Sequence, residues 1–160
     1  MLIRPALSSD TASIWRVLEA TIRAGETYAL PVDMTCEDAL GYWFSAGHEV
    51  FVAEEREVVL GTYYLRPNQQ GGGAHVANGA YMVAPAATGR GIAQRMCEHS
   101  LEHARSRGFL AMQFNFVVST NERAVRLWER LGFVVVGRLP KAFRHPSAGL
   151  VDALVMHRYL

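Results

Sequence analysis

A glycine-rich turn, ATGRGIAQRM, carries the residues best suited to hold a ligand. A strand leads into this turn and a helix leads out of it, and Gly89 and Gly91 let the backbone bend tightly and approach a ligand closely. The first amides of the helix have no partner within it, so together with the helix dipole they form an anion site suited to a phosphate or pyrophosphate. The guanidinium of Arg90 adds charge there. The alternative is a turn that merely begins a helix.

The residues around the turn disfavour two common nucleotide sites. A dinucleotide fingerprint needs G-x-G-x-x-G after the first strand of a βαβ unit, but Gln94 takes the place of the last glycine and the turn follows a late strand. A nucleoside-triphosphate loop needs G-K-[ST], which is missing. The turn alone leaves the identity of the ligand open.

Hydrophobic periodicity and turn residues predict the elements that position this turn. Strands are expected at residues 2–4, 49–54, 58–65, 74–83, 110–118, 133–137 and 151–157, with LPKAFRHPSAG as a loop between the last two. Four helices are predicted. The first is capped by Ser8 or Ser9 and closed by Gly25, and the second runs from Thr35 to Gly47 with Asp38 as capping partner. The third covers residues 91–107, and the fourth is opened by Ser119 and Glu122 and ends at Leu131.

This order of elements predicts an α+β fold. The helix between the strands at 74–83 and 110–118 makes those two strands parallel, whereas the others are expected to be antiparallel. The result is a mixed, mostly antiparallel sheet with a central parallel pair and helices on both faces. The length of 160 residues suits one domain, over 1–160.

Composition narrows the functional classes. Half of the residues are hydrophobic and 19% are charged, which argues against disorder. Sixteen basic and 15 acidic side chains leave a net charge of +1, so nothing points to a nucleic-acid or anionic membrane partner. The uncharged run 67–89 is too rich in glycine and proline for a membrane helix. Cys36 and Cys97 lie far apart without metal-ligand spacing, so a reducing, cytoplasmic location is expected.

Two motifs together resemble those of a known family. The segment VAPAATGRGIA is followed further along the chain by NERAVRLWERLGF. This pair resembles the GNAT superfamily of acyl-CoA-dependent N-acyltransferases, in which a V-x-P strand end precedes [RQ]-x-x-G-x-[GA] and N-x-x-A-x-x-L-[YW]-x-x-x-G-F follows. The predicted order of elements also matches, so the resemblance covers nearly the whole chain. It implies an N-acetyltransferase with acetyl-CoA as acyl donor and with no metal.

The resemblance implies roles for the matching residues on the donor side. The strand Tyr81-Met82-Val83 would pair with the pantetheine arm like an added β-strand, and an amide at Tyr81 or Met82 would polarise the thioester carbonyl. Asn121 would contact the pantetheine from the other side. The amides implied to hold the CoA pyrophosphate are those of Gly89, Arg90, Gly91, Ala93 and Gln94.

The sequence departs from the family pattern at two positions. Thr88 replaces the usual Arg or Gln, with little expected loss because backbone amides do most of that binding. Trp128 stands where many members carry a Tyr that protonates the departing CoA thiolate. An indole N–H is not an acid at neutral pH. The thiolate can leave unprotonated, since a thiol pKa is roughly 8.5, and Trp128 then packs beside the pantetheine or in the helix core.

The run MQFNFVVSTN, with Asn78 on the preceding strand, resembles the fungal acetyltransferases that detoxify proline analogues such as azetidine-2-carboxylate. Asparagines on the two central strands hold the substrate there, which implies the same role for Asn78 and Asn115. Asparagine is depleted in strand interiors and needs a partner when buried. Two carboxamides can accept from an amine and donate to a carboxylate, but they cannot act as a base, so catalysis would rest on positioning and carbonyl polarisation. The alternative is that Asn115 satisfies the backbone of a bulge or loop.

Other side chains are candidates for the acceptor side. Glu26 and Tyr28 lie between the first two helices, where this family usually builds its acceptor wall, and Glu26 is either a base or a solvated loop carboxylate. His75 has a suitable pKa but is expected to be an exposed residue at a strand start. Arg144 and His145 are either ligands for an acceptor carboxylate or part of a plain loop.

Three further signals are weighed against ordinary packing. His99 and His103 have metal-pair spacing, but no H-E-x-x-H is present, so a solvated helix face is expected. Cys97 is expected to be a buried core residue rather than a nucleophile. Trp43 either lines the acceptor pocket or belongs to the core.

These observations predict an acetyl-CoA-dependent N-acetyltransferase that acts by direct attack of a small-molecule amine, from an amino acid or a proline-like compound, in detoxification. One alternative is a protein acetyltransferase acting on a lysine or an N-terminus, which would need an open groove. The other is a non-catalytic CoA-binding module, motivated by Trp128. A homodimer is compatible with the sequence.

Overall fold

The computed structural model describes residues 1–160 and contains one seven-stranded sheet with helices on both faces. None of its helices is both long and apolar enough to cross a membrane. The elements in chain order are β1 (Leu2–Pro5), α1 (Thr11–Ala24), α2 (Cys36–Trp43), β2 (Glu49–Glu55), β3 (Val58–Pro67), β4 (Val76–Val83), α3 (Ile92–Ser106), β5 (Ala111–Val118), α4 (Glu122–Arg130), β6 (Val134–His145) and β7 (Gly149–Tyr159).

The strand order is β1-β2-β3-β4-β5-β7-β6, and every neighbouring pair is antiparallel except β4 and β5. The predicted mixed sheet with one central parallel pair is therefore confirmed. The parallel pair is short, because only Val76 with Ala111 and Ala77 with Met112 are in register. Beyond Ala77 the two strands separate and leave a gap in the middle of the sheet.

Each face of the sheet carries its own hydrophobic core. Side chains of α1 and α2 pack on one face, where β4 contributes Ala80 and Met82. Side chains of α3 and α4 pack on the other face, where β4 contributes Ala77 and Tyr81. Because side chains alternate along a strand, this division fixes which β4 residues face which pair of helices.

The helix ends confirm part of the prediction. Thr35 caps α2 by accepting from the amide of Asp38 at 3.1 Å, and Gly25 closes α1 in the left-handed conformation, with φ 64°. The predicted caps Ser8 and Ser9 are wrong, because residues Ser8–Asp10 form a 3₁₀ turn that places Asp10 at the N-cap of α1.

Two further predicted boundaries are wrong. The side chain of Asn121, and not that of Ser119, caps α4 by accepting from the amide of Ala124 at 3.3 Å. Helix α2 ends at Trp43 rather than Gly47, since Phe44 already leaves the helical conformation.

The segment LPKAFRHPSAG is a strand over most of its length, not the predicted loop. Strand β6 continues to His145, with an irregular stretch between Leu139 and Phe143. Pro140 lies in that stretch, where its missing N–H breaks no ladder bond. The amide of Lys141 donates instead to the carboxylate of Asp152 at 2.9 Å.

Candidate active site

A cleft of about 870 Å³ opens where β4 and β5 separate. It extends from the glycine-rich turn before α3, past the gap in the sheet, to the loop between α1 and α2. The predicted site residues that line it are Glu26, Tyr28, Asn78, Tyr81, Met82, Val83, Gly89, Gly91, Ala93, Gln94, Asn115, Asn121 and Trp128. The fold thus gathers nearly the whole predicted set around one cavity.

The glycine-rich turn presents free amides to one end of this cleft. Gly89 and Gly91 both have positive φ, at 89° and 76°, and Gly91 occupies the N-cap of α3. The first helical hydrogen bond runs from the amide of Arg95 to the carbonyl of Gly91, so the amides of Ala93 and Gln94 have no partner. Free amides at the positive end of a helix suit a pyrophosphate.

Arg90 is the exception within the predicted pyrophosphate site. Its amide donates to the carbonyl of Ala87, and its guanidinium forms an ion pair with Glu55. Positive charge comes to this end of the cleft from Arg123 on α4, which lies close to Gly89 and has no ion-pair partner. Arg130, at the other end of α4, also lines the cleft without an ion-pair partner. The sequence signal for them was the charged face of NERAVRLWER.

Of the two amides proposed to polarise the thioester carbonyl, only that of Tyr81 points into the cleft. Met82 pairs with Thr62 on β3, and the amide of Ala84, two residues further along, donates to the carbonyl of Leu60 on the same strand. Because amides two residues apart on a strand point to the same side, the amide of Met82 also points toward β3. The amide of Tyr81 faces the cleft and donates to the hydroxyl of Tyr28 at 3.0 Å. That hydroxyl also donates to the carbonyl of Tyr81 at 2.7 Å.

The two predicted asparagines occupy different environments. Asn78 is buried at the point where β4 and β5 separate, and its Nδ2 donates to the backbone carbonyl of Gln113 at 2.9 Å. Asn115 is exposed on the cleft wall, because the register of β5 shifts between Phe114 and Val117. Of the two carboxamides, only that of Asn78 is therefore buried.

The side chain of Asn115 bonds to side chains rather than to the backbone of this bulge. Its Nδ2 donates to Asn68 at 2.7 Å, and its Oδ1 accepts from Gln113 at 3.0 Å. On the donor side, the Oδ1 of Asn121 is engaged in capping α4, so its Nδ2 is the group left to face a ligand.

Three side chains on the acceptor side were missed by the sequence reasoning. Arg66 lines the cleft opposite Asn78 in the β3–β4 ladder, and its Nε donates to the Oδ1 of Asn78 at 3.3 Å. Tyr42 and Tyr64 also line the cleft, with their hydroxyls 3.2 Å apart. The sequence carried no signal for Arg66, because a charged residue at a strand end is usually solvated.

Comparison with known proteins decides the family. The family model described as "Acetyltransferase (GNAT) family" matches residues 15–133. The chain belongs to the GNAT family of acetyltransferases. The family predicted from the paired motifs is therefore confirmed.

Individual relatives of this GNAT chain agree. N-acetyltransferase aca1 of Schizosaccharomyces pombe is 31% identical over 151 residues, which cover 84% of this chain and 72% of the relative. The L-amino acid N-acyltransferase MnaT of Escherichia coli is 29% identical over 147 residues, which cover 88% of this chain and 84% of the relative.

Solved structures extend the comparison. A GCN5-related N-acetyltransferase from Kribbella flavida is 42% identical, with a TM-score of 0.95 over 99% of this chain and 97% of that one. A phosphinothricin acetyltransferase from Sinorhizobium meliloti, solved with acetyl-CoA, shares the fold at 21% identity, with a TM-score of 0.87 over 99% of this chain and 88% of that one. The chain is therefore an N-acetyltransferase with acetyl-CoA as its donor.

Trp128, at the position where many GNAT enzymes carry Tyr, belongs to the core and also borders the cleft. Its packing beside the pantetheine stays a prediction. It is 8% exposed, and its ring packs 5.2 Å from that of Tyr81 and 5.1 Å from that of Phe114. It also lines the cleft, and its indole N–H is neither hydrogen-bonded within the protein nor sealed from solvent. The residue can therefore donate a hydrogen bond but cannot deliver a proton.

Trp43 is not part of the acceptor wall. Its side chain is fully buried between α2 and the sheet, and its Nε1 donates to the hydroxyl of Thr62 at 3.0 Å. Cys97 is buried as expected, and burial raises the pKa of its thiol to about 12. Neither residue reaches the cleft.

The four histidines considered in the sequence analysis also lie outside the cleft. His75 is exposed just before β4, and the ring of His145 accepts from the amides of Ser147 and Ala148 in a local turn. The expectation of a solvated face for His99 and His103 is wrong, because both are half-buried. His99 bonds to the hydroxyl of Tyr63 and His103 to Glu49.

Proposed function

We propose that this GNAT enzyme acetylates the amine of a small molecule, an amino acid or a proline-like compound. The observation that carries the proposal is the position of Asn78, a buried carboxamide at the point where the two central strands separate. The carboxamide of Asn115 stands on the wall of the same cleft. A polar pair next to the gap in the sheet suits a compact acceptor that carries both donors and acceptors.

On the donor side we assign the free amides of Gly89, Gly91, Ala93 and Gln94 to the CoA pyrophosphate. The open edge of β4 at Tyr81 and Val83 would bind the pantetheine arm in the manner of an added strand. Acetyl-CoA supplies the acetyl group as a thioester. The amide of Tyr81 would then polarise the thioester carbonyl, which is where negative charge develops.

On the acceptor side the chain positions the amine rather than activating it strongly. Asn78 and Asn115 do not titrate, so they would orient the acceptor for direct attack. Glu26 is the one acidic side chain on the cleft wall and is exposed, so either it or water would take the proton from the amine. The whole of residues 1–160 would act as one acyltransferase domain.

The relatives support a small acceptor. MnaT carries the name of an L-amino acid N-acyltransferase, and the Sinorhizobium meliloti structure is named a phosphinothricin acetyltransferase. The loop that closes the acceptor side includes Tyr28 and Leu30, which contact the α1/α2 core. This arrangement favours a small pocket over the open groove that a protein substrate needs.

The test is release of CoA thiol from acetyl-CoA across a panel of amines that includes azetidine-2-carboxylate, common amino acids, polyamines and aminoglycosides. Asn115→Ala should raise KM for the acceptor and leave KM for acetyl-CoA unchanged. Gln70→Ala, an exposed residue outside the cleft, is the matched control. No turnover on any member, despite binding of acetyl-CoA, would overturn the proposal and leave a protein acceptor or a binding module.

A further inference from the structure

Arg66 is a half-buried cation on the acceptor side that has no anion to neutralise it. Its one hydrogen bond within the protein runs from Nε to the Oδ1 of Asn78. It takes part in no ion pair, whereas Arg4, at the edge of the sheet, is held between Asp10 and Glu54. Both terminal nitrogens of Arg66 are thus left without a partner from the chain.

The surroundings of Arg66 offer no counter-charge. Its charge acts on the hydroxyl of Tyr64, two residues earlier on β3, which bonds to the hydroxyl of Tyr42. His48 stacks on Tyr64, and burial together with the charge of Arg66 lowers its pKa, so this ring stays neutral. The single carboxylate on the cleft wall, Glu26, does not pair with Arg66.

An unpaired guanidinium that is partly withdrawn from water costs free energy until an anion reaches it. Its planar fork matches a carboxylate through two parallel hydrogen bonds. Asn78 already holds the Nε edge, so the side chain is fixed before a ligand arrives and the terminal nitrogens remain for the ligand.

We propose that Arg66 binds the carboxylate of the acceptor, so that the substrates are amines carrying a carboxylate close to the amino group. The inference rests on the proposed function and deepens it, because it names the residue that recognises the acceptor and makes a free carboxylate a requirement. In an α-amino or α-imino acid both groups are attached to one carbon. Fixing the carboxylate at Arg66 therefore places the amine beside Asn78, at the gap between β4 and β5.

The experiment compares each carboxylated acceptor of the panel with its primary amide. The wild-type protein should prefer the acid by about 100-fold in kcat/KM, as expected where a site built for a charged hydrogen bond is left unpaired. Arg66→Gln should remove that preference, mainly by raising KM for the acid, without changing KM for acetyl-CoA. Arg66→Lys should fall between the two, because it keeps the charge but loses the fork.

Arg105→Gln is the matched control, since Arg105 is an exposed arginine on α3 outside the cleft. Equal use of acid and amide by the wild type, or an equal loss on both in Arg66→Gln, would overturn the inference. Those two results would leave the proposed function intact, whereas acetylation of neutral amines but of no carboxylated one would overturn its choice of an amino acid as well. Binding of acetyl-CoA with no turnover on any small amine would overturn both.

Discussion

The hydroxyl of Tyr28 bonds to both backbone groups of Tyr81, donating to the carbonyl oxygen at 2.7 Å and accepting from the amide at 3.0 Å. Burial raises the pKa of Tyr28, so its hydroxyl stays protonated and can make both bonds at once. The amide it occupies is the one proposed to polarise the thioester carbonyl. If the Tyr81 amide has that role, Tyr28 occupies the place of the thioester carbonyl and would have to withdraw before acetyl-CoA is fully seated.

Removal of this hydroxyl is expected to strengthen donor binding. Tyr28→Phe should bind acetyl-CoA about 2- to 10-fold more tightly, since one neutral hydrogen bond contributes about 0.5–1.5 kcal/mol and no longer competes. Calorimetric titration measures this, with a smaller effect for CoA, which lacks the thioester carbonyl. Tyr42→Phe removes another cleft hydroxyl and should leave donor affinity unchanged. Weaker binding of acetyl-CoA by Tyr28→Phe would contradict the assignment.

Trp128 predicts a pH profile without a decline at high pH. The indole does not ionise, so kcat/KM should rise as the acceptor amine loses its proton and then stay level to about pH 10. Trp128→Phe should keep the same profile, with a modest loss from the packing against Tyr81 and Phe114. A decline at high pH in the wild type that is absent from Trp128→Phe would show that this residue takes part in proton transfer.

Cys97 is expected to be chemically inert in the folded protein. Its pKa is raised to about 12 by burial, so almost no thiolate is present near neutral pH, whereas Cys36 is exposed. Iodoacetamide should modify Cys36 alone until the protein is unfolded, as read by intact mass, and Cys36→Ser should not react. An acetylated Cys97 trapped after mixing with acetyl-CoA would instead indicate a covalent route.

Asp10 should make the stability depend on pH in acid. It is buried and accepts from Arg4 at 2.7 Å, and this hydrogen bond holds the pKa of its carboxyl below the usual 3.8. The ionised carboxylate therefore stabilises the fold fully above about pH 4, and this contribution is lost as the pH falls through the lowered pKa. Asp10→Asn should cost about 2 kcal/mol of unfolding free energy at neutral pH.

Denaturant titrations of both proteins at several pH values would measure this cost. The difference between wild type and Asp10→Asn should shrink as the pH is lowered below the usual carboxyl pKa. A difference that stays constant into strong acid would mean that the charge of Asp10 is not its source.

Local signals were enough to predict much of this fold. The cap at Thr35 and the left-handed Gly25 each depend on a few consecutive residues. The parallel pairing of β4 and β5 follows from the helix between them. Where two caps were available within STNER, sequence alone did not separate Ser119 from Asn121, because both can accept from a helix amide.

The details of the site depend on register, which short patterns do not fix. Arg66 meets Asn78 only because β3 and β4 pair in one particular alignment across a long glycine-rich connection. Asn115 reaches the surface because a bulge interrupts β5, and an apolar run gives no sign of where a bulge falls. The spacing of Trp43 along its helix fits a pocket residue as well as a core residue. Only the hydrogen bond to Thr62 in the structure identifies it as part of the core.

The short contact between β4 and β5 also bears on how the molecule holds together. Residues 2–83 form the first four strands and residues 111–159 the last three, so each half of the sheet is one continuous stretch of chain. Across the middle the backbone ladder is limited to two residue pairs, and side-chain bonds from Asn78 to Gln113 and from Asn115 to Asn68 supplement it. A donor bound along the open edge of β4 would add hydrogen bonds where β4 and β5 have none between them. Its binding would therefore also stabilise the association of the two halves of the sheet.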